Sequence, residues 1–288
     1  MKVSLNLALF FNQTKYIMPH TIILPSLNSK YHVSQQNCNK YQQNGHILLR
    51  GVLNAEEVAA YRNIIVEAAE KYNTEKRKME ARDTYGKAFL QIMNLWEVDE
   101  NVKKYTLAKR FAQIAADLLG VEKVRLYHDQ ALFKEAGGGH TPWHQDQYYW
   151  PIDTTKTVTM WMPLVDISMG MGMLTFASRS QELGFLGNLA ISDDSEKILG
   201  NIVKEKGYPI SRAKTMKAGD ATFHAGWTLH SAPANNSATM REVMTVIYMA
   251  DGAQVTEPKN DNQEADRQRW LMGKEIGTLI DSTLNPII

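Results

Sequence analysis

The run Thr157-Val158-Thr159-Met160-Trp161-Met162 is the clearest indication of the fold class in this sequence. Its β-branched and aromatic side chains are typical of a strand, and the turn-forming residue Pro163 follows it. Five further stretches have the same character and are separated by Gly, Pro, Asp and Asn residues: 124–127, 131–133, 173–176, 221–224 and 243–248. Short strands that follow one another with few helices between them are typical of a β-sandwich or jelly roll. We therefore predict a mostly β core over residues 124–250.

Two helices are predicted to precede this core. Asn54 and Glu57 have the spacing of a capping box, and apolar residues then recur at every third or fourth position, which predicts a helix over residues 54–72. A second apolar stripe predicts a helix over residues 99–119, which Gly120 is well placed to end. Both helices are expected to pack on the β core.

The sequence contains no internal repeat and no low-complexity segment. Residues 41–288 are predicted to form one domain, with a C-terminal tail over residues 251–288 that is helical around residues 264–272. A short helix over residues 195–203 is predicted between strands. Residues 1–40 are predicted to be an N-terminal extension of weak order.

The composition is that of an ordinary globular protein, with 288 residues, 44% of them hydrophobic, and a net charge of +1. A near-zero net charge argues against a nucleic-acid-binding surface, which usually carries a basic excess. No run of apolar residues is long enough to predict a membrane span. The single cysteine, Cys38, excludes an intrachain disulfide and fits a reducing compartment, so a cytoplasmic location is expected. No feature of the sequence predicts an oligomeric state.

The N-terminal sequence allows two interpretations. After Lys2, residues 3–11 loosely resemble a signal peptide. The run is short, contains Asn6, and is not followed by a clear small-x-small cleavage site. Met18 is an alternative start, which would make the preceding residues a weakly ordered extension.

The candidate metal ligands begin with the pair His144 and Asp146. Residues two apart on a strand point to the same face, so the pair could chelate one metal from a single strand. A His-x-Asp pair is common by chance, and a surface strand end explains the pair alone equally well. His230 and Arg241 follow much later in the chain. Two imidazoles and one carboxylate can occupy one face of an octahedral Fe(II) and leave three positions for a chelating co-substrate and dioxygen.

The chain resembles the phytanoyl-CoA dioxygenase family of Fe(II)- and 2-oxoglutarate-dependent oxygenases over residues 40–250. Several sequence blocks in the family's order carry the resemblance and are more specific together than alone. They are Trp143-His144-Gln145-Asp146, Trp161-Met162-Pro163-Leu164-Val165-Asp166, Gly172-Met173-Leu174, Gly219-Asp220, Phe223-His224, and His230-Ser231-Ala232 through Asn235 and Ser237 to Arg241. The resemblance implies a double-stranded β-helix core (a cupin-like jelly roll) with flanking helices.

The resemblance also assigns the central site residues. It implies that His144, Asp146 and His230 bind iron and that Arg241 binds the distal carboxylate of 2-oxoglutarate. A guanidinium offers a planar fork that matches a carboxylate and stays charged at any working pH. The competing histidine, His224, follows Phe223 at a strand end and is interpreted as a packed residue near the site.

Further co-substrate contacts are implied for Gln130, Lys134 and Trp161. Gln130 and Lys134 are four residues apart on the strand before the iron motif, which would keep both on one face. Trp161 is placed by the resemblance in the wall of the co-substrate pocket, and a plain core aromatic is an equally good reading.

The chain departs from the family pattern in two places. Ala232 stands where family members often carry a hydroxyl residue, and Ala177-Ser178-Arg179-Ser180 replaces the usual Pro-Gly-Ser-His turn. These changes bear on substrate scope, not on the iron ligands. Asp146 is retained, whereas halogenating relatives replace this carboxylate with a small residue, so hydroxylation is favoured.

The implied function is that of a dioxygenase that uses Fe(II), 2-oxoglutarate and dioxygen, with ascorbate in support, to hydroxylate an unactivated C–H of a small-molecule metabolite. Desaturation, epimerisation and ring closure use the same residues. Two alternatives are a metal-binding jelly-roll protein without turnover and a cupin-type metal hydrolase or isomerase. Arg241 argues against the first alternative, since a structural metal site needs no co-substrate anchor.

The substrate is not readable from the sequence. No basic cluster suits a CoA diphosphate, so a small polar or terpenoid-like metabolite is as good a candidate as an acyl-CoA. Residues 73–90 and 180–215 are predicted to be lid segments. The aromatic cluster Tyr148-Tyr149-Trp150 can either wall a substrate pocket or pack in the core.

Overall fold

The structure is a computed structural model that describes residues 23–288. The signal-like segment 3–11 and the alternative start Met18 therefore lie outside the described residues. Within the described part of the chain, no helix has the length and apolar character needed to cross a membrane.

The described residues form α-helices and antiparallel strands, with single 3-10 turns between some of them. The helices are α1 (Gln35–Asn44), α2 (Ala55–Tyr72), α3 (Thr84–Ala88), α4 (Leu95–Val98), α5 (Glu100–Thr106), α6 (Lys109–Leu119), α7 (Asp193–Lys206) and α8 (Asp261–Trp270). The strands are β1 (His46–Leu49), β2 (Leu90–Met93), β3 (Val124–Phe133), β4 (Thr141–His144), β5 (Thr157–Pro163), β6 (Ile167–Ser168), β7 (Thr175–Ala177), β8 (Ile210–Arg212), β9 (Thr215–Met216), β10 (Ala221–Ala225), β11 (His230–Ala232) and β12 (Val243–Ala250).

Two antiparallel sheets form the jelly roll. The larger sheet has the strand order β1-β10-β5-β12-β3-β2, and the smaller has the order β4-β11-β7-β8. A two-stranded ribbon joins β6 to β9. Chain neighbours are often not sheet neighbours, as expected for a double-stranded β-helix. The predicted jelly-roll core with flanking helices is confirmed.

The larger sheet has a helix-covered face and a face that lines a cavity. On β5, Met160 and Met162 belong to the core cluster shared with the helices, whereas Thr159 and Trp161 line the cavity. On β12, Val246 packs toward the helices and its neighbours line the cavity. Because successive strand residues point to opposite faces, each strand separates the packing core from the site.

The helix predicted over residues 54–72 corresponds to α2, and both hydrogen bonds of the capping box are present between Asn54 and Glu57. The helix predicted over residues 99–119 is divided into α5 and α6, which corrects the prediction of one continuous helix. Leu107 and Ala108 leave the helical path between them, and Gly120 ends α6 in the left-handed conformation. An apolar stripe constrains which face is buried, but it does not reveal such a break.

Other element boundaries also differ from the sequence-based expectation. The two stretches predicted at 124–127 and 131–133 form the single strand β3, and the stretch predicted at 173–176 becomes a strand only from Thr175. The helix predicted at 195–203 extends over α7, and α8 takes the place of the predicted helix at 264–272.

Part of the predicted N-terminal extension is integrated into the fold, which corrects the boundary placed at residue 40. That boundary falls inside α1. Leu27 is buried at 3% exposure in the main core, and the Arg110 side chain donates hydrogen bonds to Ser29. The packing of one apolar side chain and the satisfaction of a buried guanidinium therefore hold residues before α1 in place.

Candidate metal centre

Three side chains meet at one end of the cavity between the two sheets. One ligand atom from each of His144, Asp146 and His230 lies within 4.8 Å of the others. His144 on β4 and His230 on β11 are direct cross-strand partners, and their ring centroids are 4.0 Å apart. The register of the small sheet therefore brings together two histidines that are far apart in the chain.

The Asp146 carboxylate completes the group from a turn rather than from a strand, which corrects the expectation of a single ligand strand. Strand β4 ends at His144, and Asp146 begins a 3-10 turn. Gln145 between them is extended, and its side chain donates to the carbonyl oxygens of Gly184 and Trp227. Because Gln145 is extended, the side chains of His144 and Asp146 still point to the same side. The hydrogen bonds of Gln145 hold the start of the 3-10 turn in place.

The two oxygens of Asp146 have different partners. Oδ2 accepts hydrogen bonds from Thr159 Oγ1 at 2.8 Å and from His224 Nε2 at 3.0 Å. Oδ1 faces Nε2 of His144 at 3.6 Å and Nε2 of His230 at 3.5 Å. With Oδ2 occupied by two donors, Oδ1 is the oxygen that is positioned to bind a metal together with both imidazoles.

Backbone carbonyls set the orientation of both candidate ligand imidazoles. His144 Nδ1 lies 2.7 Å from the carbonyl oxygen of Pro142, and His230 Nδ1 lies 3.0 Å from that of Thr228. A carbonyl oxygen only accepts, so each Nδ1 carries the hydrogen and each Nε2 presents a lone pair to the site. Burial lowers the pKa of His230 well below its ordinary value, with a further contribution from His144, which favours the neutral ligand form.

Asp146 is held in the charged form that a metal ligand needs. Burial by itself raises the pKa of Asp146, but the neighbouring histidines, His230 first and then His144 and His224, hold it well below the ordinary value. Two neutral imidazole nitrogens and one carboxylate oxygen are a donor set that fits a divalent iron ion.

His224 lies beside the group but is oriented differently. Its Nε2 donates to Asp146, so this nitrogen has no lone pair available for a metal. His224 on β10 and Thr159 on β5 are cross-strand partners, which explains why both reach the same carboxylate oxygen. The geometry favours His224 as a residue that orients Asp146, whereas the sequence interpretation described it only as a packed residue near the site.

Arg241 supplies a buried cation to the same cavity. Its side chain is 2% exposed, one terminal nitrogen donates to the carbonyl oxygen of Gly172 at 2.6 Å, and buried Nε has no partner. Among the described residues no carboxylate lies within ion-pair distance of this guanidinium. Burial lowers the pKa of Arg241 to about 9, so the group remains charged near neutral pH. A buried guanidinium of this kind calls for an anionic ligand.

Gly172 allows the close approach that positions Arg241. Gly172 has φ +76°, and a Cβ at this position would lie 2.8 Å from Lys134 Cδ and 2.8 Å from the carbonyl oxygen of Pro233. A side chain here would therefore strain the backbone and displace both neighbours.

The three weaker co-substrate candidates are placed differently. Gln130 and Trp161 line the cavity with Arg241. Lys134 does not line it: β3 ends at Phe133, and the Lys134 ammonium is buried, donates to the carbonyl oxygen of Gly139 and lies 3.4 Å from Thr141 Oγ1. Lys134 forms an isolated antiparallel bridge with Arg241 that continues the register of β3 with β12, which is compatible with a strand face shared with Gln130. A contact of Lys134 with the co-substrate stays a prediction.

The cavity has a volume of about 240 Å³ and extends from the metal group to the segments predicted to be lids. Tyr85 and Phe89 of segment 73–90 and Ile191 of segment 180–215 line it. Thr84 Oγ1 donates to Asp193 Oδ1 at 2.8 Å and joins the two segments.

Members of the aromatic cluster after Asp146 have separate roles. Tyr149 and Trp150 line the cavity, and the Tyr149 hydroxyl accepts from the Ile191 amide at 3.0 Å. Tyr148 does not line the cavity and instead contacts α8 through Gln263.

Sequence reasoning missed several cavity residues. Thr159, Thr245 and Ile247 could have been found from the strand alternation once Trp161 was placed in the pocket wall. Asp266 lies on α8 in a polar stretch, where no pattern distinguishes a buried carboxylate from a solvated one.

Several solved structures share the fold of this chain, and two of them are described as non-haem, α-ketoglutarate-dependent enzymes. The non-haem carbocyclase SnoK of nogalamycin biosynthesis has a TM-score of 0.73 and 22% identity over 89% of this chain and 97% of its own. The epimerase SnoN of the same biosynthesis has a TM-score of 0.70 and 24% identity over 88% of this chain and 97% of its own. EctD from S. alaskensis, solved with 2-oxoglutarate and 5-hydroxyectoine, has a TM-score of 0.61 and 19% identity over 81% of this chain and 83% of its own.

Sequence comparison gives the family. No curated protein matches the chain significantly. The sequence pattern of the phytanoyl-CoA dioxygenase (PhyH) family matches residues 41–243, which is more than half of the chain and includes all three candidate metal ligands and Arg241. The protein therefore belongs to the phytanoyl-CoA dioxygenase family.

Proposed function

We propose that the protein is an Fe(II)- and 2-oxoglutarate-dependent oxygenase that hydroxylates an unactivated C–H of a small-molecule metabolite. One observation carries the proposal: a two-histidine, one-carboxylate group lines the same cavity as a buried guanidinium that has no carboxylate partner among residues 23–288. A metal group alone would also suit a binding protein or a hydrolase. The buried cation beside it adds a place for an anionic co-substrate, which neither alternative requires.

His144, Asp146 and His230 would hold the iron. Their donor atoms are preset, because backbone carbonyls orient both imidazoles, and Thr159 and His224 occupy the second carboxylate oxygen. A monodentate Asp146 leaves more of the coordination sphere for other ligands than a bidentate one. A same-fold structure, SnoN, is described in complex with Fe3+ and α-ketoglutarate (2-oxoglutarate), which supports this cofactor pair.

Arg241 would bind the distal carboxylate of 2-oxoglutarate. The Arg241 guanidinium lies over the Trp161 ring, and the carbonyl oxygen of Gly172 holds one of its nitrogens. These contacts fix the guanidinium plane before the ligand arrives, so little conformational freedom is lost on binding. Gln130 is a further hydrogen-bonding candidate in the same wall.

When bound, the iron and 2-oxoglutarate supply the oxidation, in which one oxygen atom of dioxygen enters succinate, the other enters the substrate, and carbon dioxide is released. The residues of the chain contribute position and surroundings. The aromatic and apolar side chains Phe89, Tyr149, Trp150 and Ile247 narrow the rest of the cavity and limit the access of water. Because Asp146 is present, it would occupy the metal position that a halide takes in halogenating relatives. This favours hydroxylation over halogenation.

The first test is succinate formation by the purified protein with Fe(II), ascorbate, 2-oxoglutarate and dioxygen. We expect slow turnover without substrate and its loss in both Asp146→Ala and Arg241→Ala. Arg50→Ala, which removes an exposed guanidinium that does not line the cavity, is the matched control. Succinate formation that survives in Arg241→Ala, or activity that needs zinc and no oxygen, would contradict the proposal.

Product analysis tests the finer part of the proposal. A hydroxylated product gains one oxygen atom from dioxygen, which ¹⁸O₂ labelling detects by mass. An epimerised or cyclised product without the label would show that the same site performs a different reaction. The expected cytoplasmic location rests on the single cysteine and stays a prediction.

A further inference from the structure

The cavity wall contains a second carboxylate, which belongs to Asp266 on α8. Asp146 and Asp266 are the carboxylates among the described residues that line the cavity. Asp266 lies outside residues 41–243, which match the family, so it belongs to a part of the chain that the family match does not cover. A role for Asp266 would therefore concern what is particular to this protein.

A β-bulge brings a hydrogen-bond donor to Asp266. Ile247 on β12 pairs with His128 on β3, whereas Tyr248 pairs with Leu126, so Tyr127 is an extra residue in β3. The Tyr127 hydroxyl donates to Asp266 Oδ2 at 3.0 Å. Bulges beside binding sites often redirect a side chain, and here the bulge directs a tyrosine to the carboxylate.

No positive charge in the described part of the chain balances Asp266. No Lys, Arg or His nitrogen of the described residues lies within 4.0 Å of its carboxylate. His128, the nearby histidine of the cavity wall, is neutral because burial lowers its pKa to about 3. Burial raises the pKa of Asp266 to about 7, against the stabilising hydrogen bonds of Tyr127 and Trp270.

The charges of the site with iron and 2-oxoglutarate bound indicate which kind of substrate group would suit Asp266. A divalent iron and the Arg241 cation together balance the Asp146 carboxylate and the two carboxylates of 2-oxoglutarate. In its ionised form Asp266 adds one further negative charge, for which the described residues supply no cation. A neutral hydroxyl on the substrate would repeat what Tyr127 already provides and would leave that charge uncompensated, whereas a cation would remove it.

Aromatic side chains surround this part of the cavity. Tyr85 and Tyr149 line the same cavity as Asp266, and burial raises the pKa of each. Trp150 also lines it and packs against Tyr127, with ring centroids 5.2 Å apart. A carboxylate among aromatic rings is the chemistry that selects a protonated amine over a neutral group of the same shape.

Resting on the proposed function, we propose that Asp266 is a specificity-determining residue and that the substrate carries a protonated amine which binds to it. The amine would bind Asp266 beside Tyr85 and Tyr149, and the carbon to be oxidised would lie between this subsite and the metal group. The site would therefore reject substrates that present a carboxylate or phosphate at this position.

Matched ligand pairs test the inference by binding, without turnover. Benzylamine, 2-phenylethylamine and tryptamine are each compared with the alcohol of the same skeleton: benzyl alcohol, 2-phenylethanol and tryptophol. Each is titrated calorimetrically into anaerobic protein loaded with Fe(II) and 2-oxoglutarate at pH 8. We expect at least one amine to bind about tenfold or more tightly than its alcohol, as for a charge-assisted hydrogen bond.

Three variants decide whether Asp266 causes the preference. Asp266→Asn keeps the shape and should abolish the preference for the amine, and Asp266→Glu keeps the charge and should restore it. Asp261→Asn, an exposed residue on the same helix, is the matched control and should keep it. Circular dichroism shows whether each variant is folded.

Two results would overturn the inference alone: equal binding of amines and alcohols, or no binding of any amine, by wild-type protein that binds 2-oxoglutarate. A preference that persists in folded Asp266→Asn would overturn it as well. Failure of the wild-type protein to bind 2-oxoglutarate would instead overturn the proposed function and this inference with it.

Discussion

The guanidinium carbon of Arg241 lies 5.2 Å from the ring centroid of Trp161, and Trp161 in turn pairs across the sheet with Thr245. Stacking on an indole orients a guanidinium while leaving its in-plane donors available for a ligand. The orientation of the proposed carboxylate-binding group therefore depends on the register between β5 and β12. An error of one residue would turn Trp161 to the helix-covered face.

Arg241→Ala should weaken 2-oxoglutarate binding by about a hundredfold or more, because it removes a buried partner of a charged ligand. Arg241→Lys should bind with intermediate affinity, since an ammonium lacks the planar fork. Calorimetry on anaerobic Fe(II)-loaded protein measures both, with Arg50→Ala as the control. Full affinity in Arg241→Lys would show that charge alone suffices and that the fork is unimportant.

His230→Ala and His224→Ala should separate the two neighbouring histidines. His230→Ala removes a proposed ligand, so Fe(II) affinity should fall to the level of His144→Ala. His224→Ala removes a hydrogen bond to Asp146 and should weaken metal binding by about tenfold to a hundredfold. Anaerobic titration with Co(II) as a spectroscopic probe of the site measures each affinity. An equal loss in both histidine variants would contradict the assignment.

Asp266→Asn should stabilise the ligand-free protein at pH 8 relative to pH 4. Because burial raises the pKa of Asp266 from 3.8 to about 7, its protonated form contributes stability below the unfolded-state pKa. That contribution is lost as the pH rises through 7. The side chains near the carboxylate are neutral at these pH values: Tyr127, Tyr85, Tyr149, His128 and Trp270.

Thermal unfolding of both proteins between pH 4 and pH 8 measures this effect as the difference in Tm. Other buried carboxyls, such as Asp129 with a pKa that burial raises to about 7, cancel in the difference. A difference that is constant with pH would show that Asp266 is not desolvated in the ligand-free protein.

Arg110→Ala should destabilise the fold by about 3–5 kcal/mol, because it leaves the buried Glu57 carboxylate without its partner. Arg110 donates to both Glu57 oxygens, at 2.8 and 2.7 Å. The double variant Arg110→Met with Glu57→Gln removes both charges and keeps a capping-box residue, so it should recover part of the loss. Urea unfolding measures both, and a double variant less stable than Arg110→Ala would contradict the explanation.

Much of the fold was predictable from local sequence patterns. The β-branched run around Trp161 and the capping box of Asn54 and Glu57 locate β5 and α2, because both patterns reflect interactions within a few residues. The division of the helix after Thr106 and the integration of Leu27 were not predictable, since both depend on tertiary contacts.

The candidate iron ligands and Arg241 were inferred from the sequence through the motifs shared with the family, and the residue types agree with what a metal and a carboxylate accept. How these residues are used depends on the tertiary structure. It pairs His144 with His230 across two strands, directs Thr159 and His224 to Asp146 Oδ2, and places the Lys134 ammonium against the carbonyl oxygen of Gly139. It also brings a carboxylate from α8 into the cavity. Sequence patterns report the local period of a chain, whereas sheet register and helix docking determine which distant side chains meet.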